Sequence, residues 1–172
     1  QEVKALDTSR LVNQASGGDY AGAGDVLDAH SYPSPACPVS TNQAVVCGEF
    51  GGVGLAITNH TWAPGWGYVG ATNGEDLTSK FEGFSAQLGD LVSSRGLSAA
   101  VYTELTDVET ELNGCFTYDR KIRKPDIQRT RVAILAPSGQ YTYNAIVPTS
   151  QSTGQLWKFT TTTPAQNWYA PD

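Results

Sequence analysis

Ala44-Val45-Val46-Cys47-Gly48-Glu49-Phe50-Gly51-Gly52 is the stretch that decides the fold of this chain. Small and β-branched apolar residues run into an acid and an aromatic, and paired glycines end the run. A short continuous apolar segment between turn signals predicts a strand buried on both faces, as in parallel sheets. By the two-residue period Val45, Cys47 and Glu49 share one face, with Glu49 last. In such a run Cys47 is expected as an inert buried thiol.

The neighbouring segments extend the pattern. Upstream, Val26-Leu27-Asp28-Ala29-His30-Ser31-Tyr32 predicts a strand stopped by Pro33 and Pro35, with Asp28, His30 and Tyr32 on one face. Leu11 to Ala15 predicts a shorter strand ended by Gly17-Gly18, and Gln1 to Leu6 the last turn of a helix. Downstream, a loop rich in Gly, Trp and Tyr spans 53–74. Leu77, Phe81, Phe84, Leu88 and Leu91 then recur at spacings of 4, 3, 4 and 3, the stripe of an amphipathic helix facing the core. Gly96 stands where a C-terminal cap belongs, and Leu97 to Thr103 predicts a further strand. A last helix is expected from near Asp126, with Ile127, Ile134 and Leu135 on one face. Strands alternating with helices at this spacing imply an α/β fold of parallel β/α units. From residue 147 the texture changes to Pro148-Thr149-Ser150, Leu156-Trp157-Lys158-Phe159 and a threonine run, which predicts a linker and the beginning of a β-sandwich domain.

Composition narrows the function classes. The 172 residues are 40% hydrophobic and 10% aromatic, enough for a core and against disorder. A net charge of −6 without Lys/Arg clusters argues against nucleic acid as a partner. No apolar run reaches the length of about 18 residues needed for a membrane span. Cys37, Cys47 and Cys115 are an odd number without Cys-x-x-C or Cys/His spacing, so neither a closed disulfide framework nor a metal site is expected, and no cofactor is implied. Asn59-His60-Thr61 fits the N-glycosylation pattern, and many Thr, Ser and Gly with few Lys suit a secreted or periplasmic protein. There is no Met and the sequence opens at Gln1, which implies either processing or an excerpt of something longer.

Polar residues gather at the predicted strand ends: Glu49 on one strand, His30 and Tyr32 on its neighbour, and Glu104, Asp107, Glu109 and Glu111 after the last. A carboxylate, a histidine and a tyrosine on one rim suit chemistry on a polyhydroxylated substrate. Trp62, Trp66 and Tyr68 offer flat faces for sugar rings, or pack their own loop. His60, beside the glycosylation pattern, reads as surface.

These residues carry a resemblance. Gly48-Glu49-Phe50-Gly51-Gly52 resembles the strand-seven segment of glycoside hydrolase family 2, the β-galactosidase, β-glucuronidase and β-mannosidase group. His30-Ser31-Tyr32-Pro33 is similar to that family's strand-six end. Ala99 to Glu109, with Asn113-Gly114 and Thr117-Tyr118-Asp119-Arg120, resembles its strand-eight region. The resemblance runs from about Asp7 to Pro137 and implies a partial (β/α)8 TIM barrel, strands five to eight, over residues 1–146. It also implies a retaining mechanism in which Glu49 is the nucleophile. Tyr32 would bond to that carboxylate and help keep it ionised, and His30, Trp62, Trp66, Glu104 and Asp107 are candidates to contact the carbohydrate substrate.

One departure accompanies the match. The family places its acid/base at the end of strand four, in an Asn-Glu pair, and no Asn-Glu dipeptide occurs in this sequence. The expectation is therefore a fragment: the nucleophile half of a barrel whose full length is about 250 residues, with the N-terminal half of the barrel in the parent protein. The alternative is a non-catalytic carbohydrate-binding or scaffold remnant of the same fold.

Overall fold

A computed structural model describes residues 2–18 and 20–139. In chain order the elements are α1 (Glu2–Leu6), β1 (Val26–Ser31), β2 (Ala44–Gly51), β3 (Val53–Gly54), β4 (Val69–Gly70), α2 (Gly74–Arg95), β5 (Ala99–Thr103) and α3 (Ile127–Leu135), the last followed by a 3-10 turn over Ala136–Ser138. The expected boundary at 146 and the β-sandwich beginning at 147 lie outside the described residues.

The fold is mixed α/β, built on a three-stranded parallel sheet in the order β1-β2-β5. The valines of β2 favour extended backbone, and as the central strand it is covered on both edges. A second parallel pair, β3 with β4, lies within the aromatic loop.

Helix α2 connects β2 to β5 and begins and ends as its sequence dictates. Asn73 caps it by accepting from the Asp76 N–H at 2.9 Å, and Gly96 closes it in the left-handed region at φ 72°. Its stripe of Leu77, Phe81, Phe84 and Leu88 is buried, with Leu91 partly so. Cys47, Phe50, Val53 and Leu55 meet Leu77, Phe84, Leu88 and Leu97 in one core cluster, where Phe50 stands edge-on to Phe84 and to Tyr102.

Two expectations are corrected. Residues 11–15 form no strand but a single parallel bridge, Asn13 to Val26. The Val12 N–H that would extend a ladder is taken instead by the Asp25 carboxylate at 2.9 Å, which also binds Lys4. In α3 the buried residues are Thr130 and Ala133, while Ile127 and Ile134 are exposed. Small side chains let α3 approach α2 closely. Ser85 of α2 donates to the Ala133 carbonyl, and the Asp126 N–H donates to Thr78.

Candidate functional site

The geometry around Glu49 starts from an irregularity in β2. The β1–β2 register runs Ala29 to Cys47 and then His30 to Glu49, so Gly48 is an extra residue without a partner. This bulge breaks the two-residue period. Cys47 and Phe50 both enter the core, while Glu49 turns to the other face, so the expectation that Val45, Cys47 and Glu49 share a face is overturned for Glu49. Cys47 is the fully buried free thiol expected, and Cys37 and Cys115 are also free.

On that other face Glu49 meets β1. Its Oε2 accepts from the Tyr32 hydroxyl at 2.6 Å and lies 3.2 Å from His30 Nδ1. Its Oε1 has no hydrogen-bond partner among the described residues, and 42% of the side chain is exposed. The Thr103 hydroxyl, at the end of β5, lies 2.8 Å from the Tyr32 oxygen. Tyr32 has one proton to give, so Tyr32 donates to Glu49 and Thr103 completes the chain by donating to Tyr32. Burial first, and the Glu49 carboxylate second, hold the Tyr32 phenol well above its usual range, so it stays a donor. Ser16 Oγ lies 2.9 Å from His30 Nε2.

Aromatic residues flank the carboxylate. Tyr32 stacks on Tyr68 with ring centroids 3.7 Å apart and an interplanar angle of 6°, and Trp66 stands edge-on to Tyr68 at 5.3 Å. Gly52, at φ 61°, makes the stack possible: a Cβ there would fall 2.4 Å from the Tyr68 ring. Trp66 thus joins the group around Glu49 through Tyr68. Trp62 does not: it is exposed and packs edge-on to Tyr118. Beside it His60 Nδ1 pairs with Asp119 at 2.8 Å, so His60 is tied to a loop carboxylate. The Thr117 hydroxyl, then His60, hold the Asp119 carboxyl well below the usual range.

Two of the acids after β5, Glu104 and Asp107, lie in different surroundings from Glu49. Asp107 is buried in an ion pair with Lys124, Oδ1 to Nζ 2.6 Å, and also accepts from the Gly114 N–H. With its side chain 1% exposed, it has no open path to a ligand in this arrangement. Burial pulls the Lys124 ammonium down against the opposing pull of Asp107. Glu104 lines a cavity of about 340 Å³ beneath β5, with Phe50, Phe81, Tyr102 and Cys115. Its Oε1 is buried without a partner among the described residues. Burial, followed by Glu111 and Asp107, pushes its carboxyl up to about 7. Burial likewise pushes the Cys115 thiol up to about 11.

Thr103 and Ser16 had no sequence signal beyond their positions at a strand end and before a glycine pair. Asp28 was legible as sharing the face of His30 and Tyr32, and the structure gives it partners on three segments. Among the described residues no group of three or more His, Cys, Asp or Glu could hold a metal ion, and no helix is long and apolar enough to cross a membrane. Compared with known proteins, the chain matches no family model and no curated sequence.

Proposed function

We propose that this chain carries the nucleophile side of a retaining β-glycosidase site, with β1, β2 and β5 as three neighbouring strands of a (β/α)8 barrel. The parallel order β1-β2-β5 and the polar residues at the C-terminal strand ends support that architecture. The observation that carries the function is the state of Glu49. One carboxylate oxygen is held by a tyrosine and lies beside a histidine, and the other has no partner among the described residues on a side chain that is 42% exposed.

In this reading Glu49 Oε1 attacks the anomeric carbon as the bond to the leaving oxygen breaks, giving a covalent glycosyl-enzyme that water then hydrolyses. Tyr32, with His30 beside it, holds Oε2 and so aims Oε1, while Trp66 and Tyr68 present apolar faces to a sugar ring. A second carboxyl group must protonate the leaving oxygen, and no Asn-Glu pair in these 172 residues corresponds to the one the resemblance implies. Asn59, exposed and within the glycosylation pattern, fits an exported protein.

The test is covalent labelling of the native, full-length gene product with 2-deoxy-2-fluoroglycosides or cyclitol epoxides, followed by peptide mapping. Labelling at Glu49, abolished in Glu49→Gln, is the expected result. Labelling at another residue overturns the assignment. A second reading, carbohydrate binding without catalysis, is favoured by the exposed aromatic pair Trp66 and Tyr68. It predicts sugar binding lost in Trp66→Ala and no covalent label.

A further inference from the structure

We infer that Asp28 is a positioning residue that acts through the Gly48 bulge to set the direction of Glu49. The inference deepens the glycosidase reading and rests on it for its kinetic consequence, though not for its structural one. Asp28 is buried, 3% exposed, and aligned with Val46 on β2, two residues before the register slips. Its Oδ1 accepts from the Gly48 N–H at 2.7 Å, and its Oδ2 accepts from Asn13 Nδ2 at 2.9 Å. The extra residue of a bulge drops out of the regular ladder pairing. Here a side chain from the neighbouring strand takes its amide.

The fit is close on both sides. A Cβ on Gly48 would fall 2.3 Å from Asp28 Oδ1, so the carboxylate and the bare glycine backbone occupy complementary space. Behind Asp28, the Tyr20 hydroxyl donates to its backbone carbonyl, and Asn13 reaches it from the segment bridged to Val26. Its Oδ2 lies 3.9 Å from His30 Nε2. The same carboxylate therefore borders two of the groups that determine the site: the bulge that turns Glu49, and the histidine beside it. Without the bulge the two-residue period would place Glu49 on the face of Cys47, in the core. Asp28 touches no reacting atom. Its effect passes through the backbone of Gly48 to the adjacent Glu49.

The acceptor at position 28 can be removed or kept by choice of side chain. In Asp28→Ala the Gly48 N–H loses its partner, whereas in Asp28→Asn the side-chain oxygen still accepts from Gly48 and the Asn13 amide can turn its oxygen to the new amide. Fluoroglycoside labelling of the full-length gene product should therefore slow in Asp28→Ala by between about tenfold and 100-fold, the range set by small displacements of a reacting group. The inhibitor's binding constant should stay within about threefold, and Asp28→Asn should keep most of the rate. A purely structural role would instead move the melting temperature without this split between rate and binding.

Wild-type labelling speed in folded Asp28→Ala overturns the inference, as does an Asp28→Asn that keeps stability but not rate. Amide hydrogen exchange at Gly48 in the unmodified protein decides the matter independently of catalysis and of whether the variants fold. Slow exchange is expected, and exchange at the rate of an unfolded chain overturns the clamp. A protected Gly48 amide in a protein that takes no label upholds the clamp while removing the glycosidase reading.

Discussion

Replacing Lys124 by Met should be among the most damaging single changes outside the apolar core. The Lys124 side chain is 0% exposed and donates to Asp107 Oδ1 at 2.6 Å and to the Leu112 carbonyl at 2.8 Å. Met preserves most of the aliphatic stem, so the packing loss is small. Leu112 O keeps the Leu55 N–H at 2.9 Å and is not orphaned. The cost falls on Asp107. Among the described residues its Oδ1 would retain only the Gly114 N–H, and its Oδ2 is already without a partner. Stranding a buried charge in this way costs about 3–5 kcal/mol, a large share of a stability of roughly 5–15 kcal/mol. In urea unfolding followed by tryptophan fluorescence, the midpoint should fall by about 2 M at ordinary slopes. Adding Asp107→Asn to Lys124→Met should recover at least about 2 kcal/mol, because the stranded charge is gone while the acceptor for Gly114 remains. A loss below about 1 kcal/mol in the single variant, or no recovery in the double, would refute the reasoning.

Two further predictions concern the sheet–helix layer. The Glu104 carboxyl, raised from 4.5 to about 7 chiefly by burial, keeps its proton in the folded chain after the unfolded chain has lost it. Stability from this group is therefore full below about pH 4.5 and is lost as pH rises through about 7. Glu104→Gln should flatten the fall of melting temperature between these limits, measured by scanning fluorimetry, and an unchanged slope counts against the burial of this carboxyl. Leu77→Ala, at a side chain 1% exposed in the centre of the core, should cost about 2–5 kcal/mol in the same urea assay. A smaller cost would mean that α2 packs less tightly than Leu77, Phe84 and Leu88 indicate.

The sequence was most informative where periodicity and local chemistry agreed. The stripe from Leu77 to Leu91, closed by Gly96, corresponds closely to α2, and the apolar run from Ala44 corresponds to β2. Alternation brought Asp28, His30 and Tyr32 together correctly, because β1 has no bulge of its own. It misplaced Glu49 relative to Cys47, because a single extra residue inverts every face beyond it. The segment 11–15 looked like a strand, but a carboxylate from Asp25 claimed its amide. Ile127 and Ile134 pointed to an apolar docking face on α3, whereas contact was decided by the smaller Thr130 and Ala133. The acids after β5 were indistinguishable in sequence. Only packing separates Asp107, neutralised by Lys124, from Glu104, which has no ion-pair partner among the described residues.

The all-parallel sheet also bears on how the chain is made. A parallel pair cannot close through a tight turn, and here the central strand must wait for residues well downstream. β2 is complete at Gly51, but its partner β5 begins only at Ala99, after the whole of α2 has been synthesised. At ordinary rates of about 5–20 residues per second, that interval lasts seconds. During it the run from Ala44 to Cys47 has β1 on one edge and nothing on the other. Non-local pairing of this kind folds slowly and leaves an adhesive edge exposed as the chain emerges. Slower elongation between Gly51 and Ala99 would lengthen that exposure, so yield in the cell should depend on the speed of synthesis and on chaperones that cover β2 until β5 arrives.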